Sequence, residues 1–382
     1  MSQQLLLFRL GELHVMADML FVTLLTVIVL ECKISADIRD LAEGLSSSKA
    51  VRTVLYGIVF ILIWEIGKSV VTAGFDAIQS RILGTGIEWR LSRQLAGTTA
   101  AMAVGLAQLL LFVICTNISE RRWWAYYGVC MVILAFTPAG ILYLSTAGTD
   151  REQDYVSLTQ VAPDVAQTVG QLIARKALPL KTEQIEIGDT LSNGDHFNSE
   201  VVGLGSNRRV IVTRDLLSEL TDGQLAFVIA HEIGHFMLDG VFAVIIILLV
   251  GLSTGFYLCA YFYRRIVIQW GARWSLRGEF DIAAYPVFFF LFTFALFLAQ
   301  PLSNTYVRYR ECRADRYALA LMQGVVPDWR NVAVASTEKL AAVRQDDLEV
   351  SKIEEFWFRD HPTRDHEIEL ARTYNPPAYQ NQ

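Results

Sequence analysis

The sequence predicts a mainly α integral membrane protein, with about six transmembrane helices and a water-soluble α+β part built around a small β-hairpin sheet. Three observations predict it. Of 382 residues, 53 % are hydrophobic and only 19 % charged, and the apolar residues are gathered into long runs. Two stretches, about residues 145–221 and 303–372, have instead the composition of a protein in water. Between them the chain carries a histidine pair spaced for one helix face, His231-Glu232-Ile233-Gly234-His235. The net charge of -6 speaks against a nucleic-acid partner. Cys32, Cys115, Cys130, Cys259 and Cys312 form no C-x-x-C pair, and four lie in or beside apolar runs, so they read as small apolar residues.

Taken in order, Val15 to Leu30 is the first apolar run, near the length that crosses a bilayer. No small-residue cleavage site follows it, so it reads as a retained helix. Residues 33–52 read as a polar loop, with Ser46-Ser47-Ser48 marking a turn. The second run, Val54 to Phe75, contains Glu65 and Lys68 on one face. Ionisable groups at that depth either line a wet cavity or pair with each other. After a polar stretch, residues 76–94, the third run, Leu95 to Cys115, is rich in Ala and Gly and suits close helix packing. Trp123-Trp124 then reads as an interfacial anchor. The fourth run, Ala125 to Leu144, should kink at Pro138 and Gly140.

In the first polar part, Val156 to Ala177 reads as an amphipathic helix and Ile185-Glu186-Ile187 as a short strand. Asn198 to Val202 and Arg208 to Thr213 flank a Gly-containing turn and form a hairpin signal. Thr221 followed by Gln224 is a capping-box signature, placing a helix start before the apolar run that carries the histidines. The fifth run, Val241 to Tyr263, follows almost at once. An Arg- and Trp-bearing connector leads to the sixth, Ile282 to Leu302, whose Phe288 to Phe290 read as lipid-facing bulk. Ser303 to Met322 then reads as a helix with Asn304, Arg308, Glu311 and Asp315 along one face. Residues 327–382 are polar and helical, and the last ten read as a loose tail. The expected organisation is four transmembrane helices in 1–147, the first catalytic part in 148–240, a membrane hairpin in 241–302, the second catalytic part in 303–372 and a tail in 373–382.

The histidine pattern carries the chemistry. Imidazoles four residues apart stack on one helix face, close enough to share a metal ion, and the intervening glutamate can take a proton from an attacking water. This is the pattern of zinc-dependent amide hydrolysis, with His231 and His235 as ligands and Glu232 as base. Two core histidines would share the spacing, but a third donor is at hand. Two membrane crossings separate His235 from Glu311, so both helices emerge at the same face. Glu311 is therefore expected as the third ligand, with Asp315 accepting the other ring N–H of a liganding histidine.

These residues carry a resemblance. The histidine motif, the Asn304, Arg308, Glu311, Ala314 and Asp315 spacing, the hairpin with Asn198, Gly203, Arg209 and Val210, and His361-Pro362 together resemble the gluzincin metallopeptidases that include type 1 CAAX prenyl proteases and HtpX-like proteases. The resemblance implies a zincin-like catalytic domain holding one Zn2+ on His231, His235 and Glu311, supported by Asp315, Arg308 and Asn304. It also implies an edge strand at Asn198, Ser199 and Glu200 that binds substrate backbone, and an oxyanion role for His361. Glu367 stands where family members often carry arginine, with Arg364 nearby, and six runs are found where CAAX prenyl proteases have seven helices.

The implied function is a membrane-embedded zinc metalloendopeptidase acting on membrane proteins or membrane-associated peptides, with the bilayer as its other partner. A signalling receptor is the alternative, as is HtpX-like quality control; the short far-side loops, about 20 residues or fewer, offer no sensor domain. A zinc-free scaffold would leave the ligand set without use. Near-membrane Lys and Arg number ten on the far side against eight on the site side, which points slightly toward a cytoplasmic far side, opposite to what the resemblance suggests. The resemblance implies a multi-pass protein with its site at the cytoplasmic membrane surface.

Overall fold

A computed structural model of the chain describes residues 3–84, 88–134, 155–191, 197–203, 207–238, 241–344 and 350–376. Its first helices are α1 (Gln3–Glu31), α2 (Ile34–Leu45), α3 (Lys49–Leu83) and α4 (Glu88–Ile118), followed by the apolar α5 (Trp123–Leu134). Helix α2 corrects the loop expected between the first two runs. Its charges Asp37, Asp40 and Glu43 mark an outer face, while Ser35, Ala36, Ile38, Arg39 and Ala42 are buried. The polar stretch after the second run is likewise largely helical, since α3 continues to Leu83 and α4 begins at Glu88. The expected kink at Pro138 and Gly140 lies outside the described residues.

The next elements are β1 (Val156–Ser157), α6 (Leu158–Val161), α7 (Pro163–Arg175), β2 (Ile185–Gly188), β3 (Ser199–Val202), β4 (Arg209–Thr213), α8 (Arg214–Glu219) and α9 (Asp222–Leu238). The single amphipathic helix expected over 156–177 is thus a strand and two helices. Ala162 is non-helical, and Pro163 opens the second helix, where its missing N–H costs nothing. Two long helices follow, α10 (Val241–Trp270) and α11 (Tyr285–Met322), and then α12 (Trp329–Arg344), α13 (Lys352–Phe358) and α14 (Arg364–Thr373). The sixth apolar run and the polar-stripe helix are one element. Helix α11 continues through Pro301, whose carbonyl accepts from Thr305 Oγ1 at 2.7 Å.

Among the described residues, five helices are long and apolar enough to cross a membrane: Arg9–Glu31, Lys49–Leu83, Ala101–Ile118, Ile245–Trp270 and a stretch within Ile282–Met322. Helix α5 covers the first part of the fourth predicted run, and residues 135–144 of that run are not described. The described residues fall into two compact units. One lies within Met1–Thr137 and Phe242–Ala299, the other within Pro138–Val241 and Gln300–Gln382.

The first unit has an aromatic core of Phe112, Trp123, Tyr127, Tyr263, Tyr285 and Phe288, each at most 2 % exposed. Two expectations are corrected here. Trp123 is no interfacial anchor, and Phe288 does not face lipid: they pack edge-to-face on each other with ring centroids 5.4 Å apart. Periodicity cannot distinguish an apolar side chain facing lipid from one facing a neighbouring helix. Buried Arg39 is held by ion pairs to Asp281 and Asp40 and by the Ser275 carbonyl, tying α2 to the connector after α10.

The second unit is built on a four-stranded sheet in the order β1-β2-β4-β3, parallel between β2 and β4 and otherwise antiparallel. Ile185, Ile187, Val210 and Val212 are fully buried and share a core with Leu225, Val228, Ile229 and Ile233 of α9. Strand β3 is an edge. Thr213 N–H donates to the Asn198 carbonyl at 3.1 Å, so that pair is hydrogen-bonded, and antiparallel alternation turns the backbone groups of Ser199 and Val201 outward. Gly203, at φ +86°, starts the hairpin turn: a Cβ there would sit 2.3 Å from the Asn207 carbonyl oxygen.

Candidate metal centre

Helix α9 starts as its sequence requires. Gln224 Oε1 accepts from the Thr221 N–H at 2.9 Å and Thr221 Oγ1 from the Gln224 N–H at 3.4 Å, a reciprocal capping box. At its other end Arg208 donates to the Phe236 carbonyl at 2.5 Å and the His235 carbonyl at 3.4 Å, and stacks on the Phe236 ring at 4.4 Å. A cation thus closes the negative end of the helix. Gly234 brings α9 against α11. A Cβ at this position would lie 2.9 Å from both Cα and O of Ala314, so only glycine permits the approach.

That approach brings together His231, His235 and Glu311. The two Nε2 atoms are 3.1 Å apart, and each is 3.3 Å from Glu311 Oε2. A tetrahedral zinc site with bonds of about 2.0–2.1 Å has ligand-to-ligand edges of about 3.3–3.4 Å, so this triangle fits such an ion. His231 Nδ1 lies 2.8 Å from Asp315 Oδ1. With the proton on Nδ1, its Nε2 lone pair faces the other two donors. Burial would lower the His231 pKa, but hydrogen bonds with Asp315 and Glu311 outweigh it and hold the imidazole well above its ordinary value. The carboxylates of Asp315 and Glu311 that cause this shift favour positive charge beside the ring. Side-chain exposures of 20 %, 14 % and 13 % for His231, His235 and Glu311 leave the triangle open on one side.

The open side faces a cavity of about 460 Å³ within the second unit. Glu232, 7 % exposed, lines it, and its Oε1 accepts from Ser199 Oγ at 2.7 Å. Asn198 and Ser199 are both at the cavity, whereas Glu200 is not among its lining residues and pairs in register with Ile211. His361 also lines the cavity, with Nε2 3.9 Å from Glu311 Oε2 and Nδ1 3.0 Å from Asp360 Oδ1. The Asp360 hydrogen bond raises the His361 pKa above its ordinary value. Arg364 and Glu367 also line the cavity. Burial, followed by the nearby Asp315 charge, pushes the Glu367 carboxyl up to about 8. Asn304 and Arg308 do not reach the cavity and instead bind backbone carbonyls of residues 355–359.

Four of these features are absent from the sequence reading: the Gly234 contact, the Ser199–Glu232 bond, Asp360 and the Arg208 cap. Only Gly234 had a signal, a glycine inside a helix, which costs stability unless packing requires it.

An integral membrane protein with this helix-borne ligand set is of the metallopeptidase class. The chain belongs to peptidase family M48: residues 159–374, more than half of it, match that family's model. It is 28 % identical over 186 residues to the uncharacterized metalloprotease YhfN of Bacillus subtilis, covering 48 % of this chain and 42 % of that one. It is 22 % identical over 228 residues to a CAAX prenyl protease 1 homolog of Dictyostelium discoideum, covering 60 % and 52 %. The chain thus spans about half the length of the curated relatives it matches. Its fold is similar to the crystal structure of S. mikatae Ste24p, with a TM-score of 0.59 at 17 % identity over 90 % of this chain and 82 % of that one. The family implies a metal, and the donor set described above fits one.

Proposed function

We propose that this chain is a membrane-embedded zinc endopeptidase of the HExxH gluzincin kind, binding one zinc ion on His231, His235 and Glu311. The observation that carries the reading is the triangle of 3.1–3.3 Å between three ligand atoms with the Glu232 carboxylate in the same cavity. A zinc ion held there supplies Lewis acidity, which makes water a nucleophile near neutral pH and polarises a carbonyl. The protein's own residues do the rest. Glu232 has one oxygen fixed by Ser199 and the other available to accept the proton of the attacking water and return it to the leaving nitrogen. Asp315 holds the His231 tautomer. His361, protonated to a higher pH through Asp360, donates from Nε2 to the carbonyl oxygen as negative charge develops.

The substrate is an extended peptide segment. It adds to the open edge of β3 through the backbone of Ser199 and Val201 and lays its scissile amide beside the metal. Only two residues separate α9 from the apolar helix α10, which supports a substrate that arrives from or along the bilayer. A segment of a membrane-associated protein meets that description, and the Dictyostelium discoideum relative's name adds a prenylated peptide as a candidate. The site faces the cytoplasm in this proposal, which reporter fusions at the C-terminus test directly.

Purified full-length protein should cleave membrane-associated or prenylated peptides, with chelation or Glu232→Gln abolishing cleavage while zinc-reloaded Glu232→Gln protein stays folded and metal-bound. Undiminished cleavage by Glu232→Gln would refute the role given to Glu232.

A further inference from the structure

Asn304, Arg308, Glu311 and Asp315 follow one face of α11, but they divide into two pairs. Glu311 and Asp315 point to the metal centre. Asn304 Nδ2 donates to the Trp357 carbonyl at 2.7 Å, and Arg308 Nη1 donates to the Glu355 carbonyl at 2.8 Å and to the Arg359 carbonyl. Those acceptors are the last turn of α13 and its C-cap: the Glu355 carbonyl also accepts from the Arg359 N–H, and the Trp357 and Arg359 carbonyls lie where the helix runs out of its own donors. The guanidinium is itself braced: Nη2 donates to Thr305 Oγ1 at 3.0 Å.

Helix α13 has only seven residues and buries none of them. A helix that short does not hold its own shape in water, and its side chains are at most half-buried, as Glu354, Glu355, Trp357 and Phe358 are. The polar contacts from α11 add to that partial burial in holding it, and a cation against the negative end of a helix is the favourable arrangement. Two residues beyond Arg359 stands His361, whose Nε2 is 3.9 Å from Glu311 Oε2.

We propose that Asn304 and Arg308 are positioning residues for His361: they clamp the carbonyl end of α13 to the same helix face that supplies Glu311. One rigid helix then fixes both the third metal ligand and the segment carrying the imidazole. The proposal rests on the reading of His361 as the group that meets the developing oxyanion. Arg308 has a second requirement beyond charge, since two diverging carbonyls and a hydroxyl need a planar fork. Lysine, a point charge on a flexible stem, does not satisfy all three.

The test uses the full-length protein in detergent or reconstituted membranes and a fluorogenic peptide it cleaves. Arg308→Lys, Asn304→Asp (same shape, the donor replaced by a carboxylate that repels the Trp357 carbonyl), His361→Ala and the double variant Arg308→Lys/His361→Ala are compared for kcat, KM, zinc content and thermal midpoint. A displacement of about 1 Å in a catalytic group costs about 100-fold, so kcat should fall roughly 10- to 100-fold in Arg308→Lys and less in Asn304→Asp. KM and zinc content should stay within about twofold. In the His361→Ala background the Arg308 substitution should cost less than about twofold, because the group it positions is gone. The same fold loss in both backgrounds overturns the clamp while leaving the role of His361 intact. Unchanged kcat in His361→Ala overturns the reading of His361 and the clamp with it, and Glu232→Gln measured alongside reports separately on the peptidase reading. Should Arg308→Lys fail to fold, Asn304→Asp alone and with His361→Ala carries the same comparison.

Discussion

Replacing Gly234 by alanine separates the fit of two helices from the stability of either. The new Cβ would lie 2.9 Å from Ala314 Cα and O and 3.2 Å from its Cβ. Carbon contacts settle at about 3.5–4.0 Å, so α9 must move from α11 by about 0.6–1 Å. Alanine favours the helix by about 1 kcal/mol over glycine, while overpacking costs about 1–3 kcal/mol. The metal-free protein should therefore lose no more than about 2 kcal/mol. The metal centre is less forgiving. His231 and His235 ride on α9 and Glu311 on α11, and metal–ligand distances tolerate deviations of only about 0.2 Å. Separation of the helices lengthens both 3.3 Å edges to Glu311 while sparing the 3.1 Å edge between the histidines. Zinc affinity should fall at least tenfold, about 1.4 kcal/mol. Competition against a chromophoric chelator gives the affinity, and thermal unfolding with and without zinc gives the stability. Affinity within about twofold of the unsubstituted protein would refute the reasoning, whatever happens to the melting temperature.

Four further outcomes are expected. Asp315→Asn should weaken zinc binding about 10- to 100-fold by releasing the His231 tautomer, read in the same chelator competition. Asp360→Asn removes the main cause that raises the His361 pKa; the protonated form is lost as pH rises through that pKa, so the alkaline limb of the kcat profile should move to lower pH. Arg208→Ala should destabilise the protein by about 1–2 kcal/mol, through lost capping of α9, with little change in KM. Arg39→Ala removes the ion-pair partner of Asp281, whose 5 % exposed side chain still accepts from the Arg277 and Ala283 N–H groups, and should cost about 3 kcal/mol, the low end for a broken buried pair, seen as a lower unfolding midpoint with zinc content unchanged.

The candidate ligand triangle was legible because it is written in local spacing: an offset of four residues from one histidine to the next sets a helix face, and Thr221 with Gln224 set where that helix starts. Glu311 was reached by counting crossings, which works because two passes through a bilayer must return the chain. The sheet's hairpin was legible from its two short apolar strands. Pairing of β2 with β4 in parallel was not, because register between distant strands depends on tertiary packing. Charged residues misled at α2, where an amphipathic helix with three acids outside reads as a loop. Apolar residues misled at Trp123 and Phe288, where a side chain packed against another helix has the same sequence signature as one facing lipid. At the site, Ser199 was expected to meet substrate through an edge strand; its hydroxyl is bonded to Glu232, a contact between residues 33 apart that no local pattern encodes.

X-ray absorption at the zinc K-edge of the purified full-length chain tests the central claim most directly. The account predicts about one zinc per chain, with only nitrogen and oxygen ligands at about 2.0–2.1 Å, the scattering signature of two imidazoles, and loss of the bound metal in the His235→Ala and Glu311→Gln proteins. A sulfur neighbour at about 2.3 Å, which Cys312 beside Glu311 would supply, or zinc retained at full affinity without Glu311, would contradict it.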